Sequence, residues 1–416
     1  MVNGWTECPI TDVLKPNGIK IGPFGSQLKK EILLNDGIYK VYGQENIYEH
    51  DFSLGDRFLT KAHFDKLSSC EILPGDFVMS TMGTIGKCAI VPDGIQTGIM
   101  DSHLIRLRFD EKKINPNYVL QLFSDQFYFL RQQTKQLSVG GIMDGLSVGI
   151  VNKFKVQYPE SLQEQESIIK VFSGTDTLIS NLQKLIRKKK DIRQGTMQML
   201  VTGRKRLEGF SEEWETKSLD SLCRLVTKQT GFDYSAEIKP SLFTINQIGS
   251  LPFIQNKDFE GFDINYNTDF YIPYSVATKY PKIMLDEVCL LISISGRIGN
   301  VARFDNRFTA FAGGAVGIAK FHDPSLVSWC MLYLMSKDGQ EQIFSHEKVG
   351  AQHNLTVEDV RNLKFKIPHK NERNSIIAII NDMDSDIKKL EEKLNKYQEV
   401  KQGMMEELLT GKVRLI

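Results

Sequence analysis

The chain has 416 residues, 41% hydrophobic and 25% charged, the size and balance of two or three folded domains. A net charge of +1 excludes the uniformly basic composition of a small nucleic-acid binder. The first 20 residues lack a basic segment followed by an apolar one, and no run of about 18 apolar residues occurs, so neither a secretory leader nor a membrane span is expected. Six cysteines without a C-x-x-C pair fit reduced thiols of a cytoplasmic protein rather than a disulfide frame or zinc site.

The first block, 1–157, is punctuated by short β-type runs at Gly37–Tyr42, Asp76–Ser80, Lys87–Val91 and His103–Phe109. Asn115-Pro116 then predicts a helix start, with Asn115 as N-cap and Pro116 in the first turn. A long helical segment follows over 158–207. A second block, 208–367, repeats the pattern loosely, with strand-like runs at Val288–Ser293, Asn300–Phe304 and Val316–Phe321 and a helix around Trp329–Met335. Gly83-Thr-Ile-Gly and Gly296-Arg-Ile-Gly occupy the same place between strands, where glycine permits a tight connection. A second long helix is expected over 368–416.

The two helical segments are copies. Positions 167–207 and 375–415 align without a gap at an offset of 208, with identities that include Ser167/Ser375, Asp176/Asp384, Gln194/Gln402, Met197/Met405, Gly203/Gly411 and Arg206/Arg414. This period is a duplicated half-protein rather than a solenoid unit. Apolar residues recur in steps of four and three, the heptad seam of a coiled coil. In the first copy they are Ile168, Phe172, Thr175, Ile179, Leu182, Ile186 and Leu200, with Lys189 and Arg193 in a polar interruption. In the second they are Ile376, Ile380, Met383, Ile387, Leu390, Leu394, Tyr397, Met404 and Leu408, broken at Lys401. A helix of about 38 residues would span roughly 57 Å. Such a stripe needs a partner, and the simplest is the other copy packed antiparallel. Both copies begin after a strand and a proline (Pro159, Pro368) and stop at Thr-Gly, with Gly203 and Gly411 as C′ caps.

Residues 184–206 carry nine Lys or Arg against one acid, Asp191, a surplus of eight. A solvated helix face and a binding strip both fit this run. Catalytic signatures are weak. Asn115-Pro-Asn-Tyr lacks the second proline of an amino-methyltransferase motif and serves better as a cap. Before Gly86-Lys87, Thr81 stands where a phosphate loop needs glycine, and Cys88 where it needs Ser or Thr. The seven histidines show no metal-ligand spacing.

With its order of block, helix, block, helix, the chain resembles the DNA specificity subunits of type I restriction–modification systems. The resemblance also rests on Gly22-Pro-Phe-Gly-Ser-Gln-Leu-Lys, on Pro159-Glu-Ser-Leu-Gln-Glu-Gln-Glu-Ser-Ile, and on Gln402-Gly-Met-Met-Glu-Glu-Leu-Leu-Thr-Gly-Lys-Val-Arg. The family's Glu-Gln at the helix start is Glu164-Gln165 in the first copy and Glu372-Arg373 in the second. The resemblance implies an α+β protein of two target-recognition domains joined by two long antiparallel helices, with no catalysis of its own. Each domain would read half of an interrupted, asymmetric site in double-stranded DNA. The helices would space the halves and dock two methyltransferase subunits that methylate adenine N6. Motor–nuclease subunits would complete a restricting complex. S-adenosylmethionine, ATP and magnesium would belong to those partners, and this chain would bind no cofactor, metal or membrane. A non-DNA scaffold with protein-binding lobes is the alternative.

Base readout needs polar side chains on loops. The candidates in the first block are Ser26, Gln27, Lys29, Lys30, Gln44, Asn46, Ser80, Thr81, Thr84 and Lys87. In the second they are Asn246 and Gln247 as the positions matching Gln44 and Asn46, then Ser293, Ser295, Arg297, Asn300, Gln352, His353 and Asn354.

Overall fold

The computed structural model describes residues 3–25, 27–124, 132, 133, 136, 145–260, 263–345 and 354–415. Two compact units emerge, one of residues 1–184 and 391–416, the other of residues 185–390. Each unit is therefore one block of the sequence together with a part of each long helix, rather than a block alone.

The first unit is built on a four-stranded antiparallel sheet in the order Leu14–Ile21, Leu104–Phe109, Phe77–Ser80, Cys88–Ile90. A three-stranded sheet in the order Phe58–Leu59, Tyr39–Tyr42, Gly98–Met100 lies beside it, with its last pair parallel. The second unit repeats both. Its sheets run Cys223–Lys228, Val316–Phe321, Cys289–Ser293, Val301–Phe304 and Tyr271–Pro273, Ser250–Ile254, Ala310–Ala312, Met284–Leu285. The Ser250–Ile254 and Ala310–Ala312 pair is the parallel one.

Strand side chains alternate between faces, so a strand buried on both sides reads as an unbroken apolar run. Cys289–Ser293 is such a strand: Leu290 and Ile292 enter one core of the second unit, and Cys289 and Leu291 enter the other. Phe77–Ser80 divides likewise, with Phe77 and Met79 in one core and Val78 in the second. The periodicity that marks amphipathic strands is therefore lost in the central strands of both units.

Each block closes on itself by pairing the strand expected before its long helix with a strand at the start of the block, a pairing that the sequence patterns did not indicate. Trp5–Pro9 pairs antiparallel with Lys155–Pro159, and Glu215–Ser218 with Lys364–Ile367. The second strand of each pair leads directly into a long helix. Asn115 caps its helix through its side chain, with Pro116 in the first turn, as expected.

The long helices run over Leu162–Val201 and Lys370–Leu408. At 40 and 39 residues each is about 60 Å long. Both end as predicted, with Gly203 at φ +74° and Gly411 at φ +72°. That left-handed conformation favours glycine, and it closes a helix C-terminus. Within each unit the two helical parts are antiparallel, which the ion pairs establish. In the second unit, Arg193 donates twice to Asp384, at 2.9 Å each, and Lys189 reaches Asp386 at 3.4 Å. In the first, Lys401 reaches Asp176 at 2.5 Å and Arg414, further along, reaches back to Glu164 at 2.6 Å. Lys401 and Arg193 occupy equivalent positions of the repeat, as do Asp176 and Asp384. The polar breaks in the two seams are thus one repeated, charge-paired layer.

The seams serve two roles. Ile168, Phe172 and Leu408 belong to a core of the first unit, and Leu200, Ile376 and Ile380 to a core of the second. Ile179, Leu182, Ile186 and Ile387 are buried along the helix pair, while Met383, Leu390, Leu394 and Tyr397 are half-buried.

Candidate nucleic-acid interface

Both units gather loops at one end of their four-stranded sheet. In the first, the strand ending at Ser80 leads into a turn with Gly83 at φ +64° and Gly86 at φ +81°. Ser80 is fully buried. Its hydroxyl donates to the Thr84 carbonyl at 2.6 Å and accepts from the Lys87 N–H at 3.0 Å. The second unit repeats this lock: the buried Ser293 hydroxyl accepts from the Asn300 N–H at 2.8 Å, and Gly296 and Gly299 have φ +72° and +85°. A further loop joins each turn, through Leu146 N–H to Thr81 O in one unit and Leu355 N–H to Ile294 O in the other, both 2.8 Å.

Side chains from the short helical segment that follows a strand of the neighbouring sheet brace each turn. The Gln44 amide donates to the Met82 carbonyl, and Tyr48 Oη accepts from the Thr84 N–H at 3.2 Å. In the second unit the brace is Asn256, donating to the Ser295 carbonyl at 3.4 Å. Asn256 follows the strand that corresponds to the one before Gln44, and Gln255 N–H is capped by Asp258 (2.8 Å) as Gly43 N–H is by Asn46 (2.9 Å). Burial raises the Asp258 carboxyl, partly offset by that N–H. The counterparts of Gln44 and Asn46 are therefore Asn256 and Asp258, not Asn246 and Gln247. The last two precede strand Ser250–Ile254, so they lie at its other end, where Asn246 Oδ1 accepts from Ser250 Oγ at 3.1 Å. Asn256 shares a polar character with Gln44 but sits ten residues from the expected place; only strand pairing reveals the match.

The candidates divide by burial. Asn46, Ser80, Thr81 and Ser293 are buried in the chain as it stands, and they shape the turns. Asn46 spends its amide on the carbonyls of Asp51 and Leu54. Gln27, Lys29, Lys30, Thr84, Asn246, Gln247, Arg297 and Asn354 are exposed, and Gln44, Lys87, Ser295 and Asn300 are partly so. Asn354 bridges Ser295, which brings it to the Arg297 turn. Ser26, Gln352 and His353 lie outside the described residues.

Four of the nine basic residues between 184 and 206, Lys189, Arg193, Arg204 and Arg206, are paired with carboxylates within the second unit. Besides Lys189 and Arg193, Arg204 meets Asp338 at 2.9 Å, and Arg206 grips Glu372 with bonds of 2.6 and 2.8 Å. Trp214 Nε1 donates to the same carboxylate at 2.9 Å. The repeat-equivalent pair, Arg414 with Glu164, is made in the first unit at 2.6 and 2.7 Å. The departure at Arg373 is local. Gln165 joins the turn before its capped helix, accepting from Asn115 N–H at 2.7 Å; Arg373, at the same repeat position, donates to Ser325 Oγ at 3.0 Å beside the Asp323 cap. Burial lowers the Arg373 guanidinium, and Asp323 partly offsets this.

Among the described residues, no cluster of His, Cys, Asp and Glu could hold a metal, and no helix is long and apolar enough to cross a membrane. All six cysteines are free, and all but Cys8 are buried.

A duplicated α+β domain joined to a duplicated helix is the architecture of a DNA specificity subunit. The family model for the type I restriction modification DNA specificity domain matches residues 3–190 and again 211–402, and the chain belongs to that family as a type I restriction–modification specificity subunit, a recognition component and not a catalytic one. It is similar to the type I restriction enzyme MjaVIII specificity subunit of Methanocaldococcus jannaschii, at 24% identity over 76% of this chain and 75% of that protein. A putative MjaX specificity subunit of the same organism is also 24% identical, over 84% and 81%. The fold matches a chain from a structural study of complex assembly and conformational transition in the type I system, at a TM-score of 0.58 and 15% identity over 98% of both chains. It also matches the S subunit of a type I system from M. genitalium, at a TM-score of 0.53 and 13% identity, over 97% and 96%.

Proposed function

We propose that each unit reads one half of an interrupted, asymmetric sequence in double-stranded DNA, and that the helix pair sets the gap between the halves. The observation that carries this reading is the repetition of one braced loop cluster, once per unit, with different residues on the same frame. Met82, Gly83 and Thr84 in the first unit stand where Ser295, Gly296 and Arg297 stand in the second. A shared frame with unlike side chains suits two unlike half-sites. Helices of about 60 Å exceed the roughly 34 Å between successive major-groove faces. A stiff spacer keeps that separation fixed where a flexible linker would blur it.

Lacking catalysis of its own, the chain would direct two methyltransferase subunits that use S-adenosylmethionine to methylate adenine N6. Motor–nuclease subunits with ATP and magnesium would add cleavage in the cytoplasm. The chain itself would carry no cofactor. The test is co-expression with the methyltransferase encoded beside it, in a host without adenine methylation, followed by mapping of N6-methyladenine. One interrupted motif that disappears when this chain is omitted is the expected result. Absence of new methylation from a complex that co-purifies overturns the reading.

A further inference from the structure

The second unit holds a buried amide with nothing to bind. Gln229 follows directly on strand Cys223–Lys228 and is 4% exposed, yet neither its Nε2 nor its Oε1 has a hydrogen-bond partner. A buried side-chain amide is ordinarily paired, so an orphan of both atoms calls for a reason. Gln229 lines a pocket of about 280 Å³ together with Lys228, Thr230, Asp233, Lys279 and Lys282, and the Asp233 carboxylate accepts from the Thr230 hydroxyl at 2.5 Å. Of those lysines, Lys279 is committed to Glu237. Lys228 and Lys282 are exposed and make no ion pair among the described residues.

Strand register places this pocket at the candidate interface. Lys228 and Ile292 both lie opposite Gly317, and Ser293 lies opposite Val316. Gln229 therefore leaves the sheet at the same end as the Ser293–Asn300 turn. Its Oε1 lies 3.3 Å from where a Cβ on Gly314 would sit, in the loop whose Ala315 carbonyl accepts from Ile294 N–H at 2.9 Å.

We propose that Gln229 is a specificity-determining residue of the second unit, which turns its amide out of this pocket onto an adenine of the second half-site while Lys228 and Lys282 hold adjoining phosphates; this rests on the recognition reading above. Adenine offers an acceptor at N7 and a donor at N6, and a glutamine amide supplies the complementary donor and acceptor together. Because the amide has no partner in the free chain, turning outward breaks no hydrogen bond, while the contact forms two. Lysines on phosphates add affinity without sequence preference.

The first unit carries no side chain at the matching position. Ile21 lies opposite Ile105, as does Met79, so Ile21 corresponds to Lys228 and Gly22 to Gln229. A Cβ on Gly22 would fall 1.7 Å from the Asp101 carbonyl oxygen, so a side chain is sterically barred there. The effect must therefore be confined to one half-site.

The test maps N6-methyladenine for the co-expressed complex carrying the wild-type chain, Gln229→Ala, Gln229→Glu or Lys228→Ala. With Gln229→Ala, one A·T position of the second half-site should loosen by about ten- to a hundred-fold in discrimination, with the first half-site unchanged. Gln229→Glu, which can only accept, should disfavour adenine at that same position. Lys228→Ala should weaken binding uniformly and lower the salt slope by about one. A motif that stays strict in both Gln229 variants overturns the assignment, as does a uniform loss of methylation without loosening at any position. If the wild-type chain yields no interrupted motif, the recognition reading falls, and this assignment with it.

Discussion

Arg414 and Glu164 stand 250 residues apart and meet in a two-bonded ion pair, Nε to Oε1 at 2.6 Å and Nη2 to Oε2 at 2.7 Å. Arg206 and Glu372 make the same pair in the other unit, each residue exactly one repeat away from its counterpart. Glu164 and Glu372 are buried, while their arginines are partly open. In each unit, the pair ties the residues just beyond one helix's C-terminus to the first turn of the other helix. Removing a carboxylate leaves the arginine only a backbone carbonyl, Glu212 for Arg206 and Asn3 for Arg414, and, at Glu372, also strips the Trp214 indole of its partner. Glu372→Ala should therefore lower the melting transition of the second unit by several degrees. Hydrogen exchange should rise in 215–218 and 364–367 and stay unchanged in 5–9 and 155–159. Glu164→Ala should give the mirror pattern.

The ion pairs along the helices should differ in worth by burial. The Arg193 side chain is 11% exposed and bidentate to Asp384, whereas Lys189 is 42% exposed opposite Asp386. Because the Asp384 left behind is itself 37% exposed, Arg193→Ala should cost about 1–3 kcal/mol, and Lys189→Ala less than about 0.5 kcal/mol. A double-mutant cycle on Arg193 and Asp384 should return a coupling of about 1–3 kcal/mol that survives added salt.

The C-terminal end of the second long helix belongs to the first unit. Met405, Leu408 and Leu409 are buried in the same core as Phe172 and Trp5. Deleting 404–416 should unfold the first unit and spare the second, which limited proteolysis would show as a protected fragment from 185–390. Phe172→Ala, at a fully buried position, should cost about 3–5 kcal/mol and act on the first unit alone.

Alkaline stability should fall in a defined window. Burial pushes the Tyr42 and Tyr158 phenols and the Cys223 thiol up to about 12, from 10 and 9 respectively. These groups stay protonated in the folded chain after the unfolded chain has begun to ionise. Their contribution is complete below pH 9 and is lost progressively between about 9 and 12. Denaturant midpoints should be flat from pH 7 to 8.5 and drop above 9. Midpoints that keep rising above pH 9 would contradict this.

The helical half of the fold was legible because its signals are local or repeated. The offset of 208 exposed the duplication, the four-three steps exposed the seams, and Thr202-Gly203 and Thr410-Gly411 marked the stops. The strands before the long helices were legible, but their pairing, Trp5–Pro9 with Lys155–Pro159 and Glu215–Ser218 with Lys364–Ile367, was not, since it joins the two ends of a block. The site was legible only in outline. Gly83 and Gly296 announced the turns through their backbone freedom. Whether Ser80 and Ser293 face solvent depends on which way the turn folds over them, and both lock it from inside. Asn256 and Gln229 went unnoticed because their neighbours are set by strand register rather than by spacing. Glu372 kept the work of Glu164 although the next residue changed from glutamine to arginine.

The central claim is that two readers are held at a fixed distance, and lengthening the spacer tests it most directly. A seven-residue insertion made at matching levels in both long helices preserves the seam and adds about 10 Å. Methylation mapped for that variant, co-expressed with the methyltransferase, should show both half-sites unchanged and the gap between them longer. The original gap, or altered half-sites, would contradict the account.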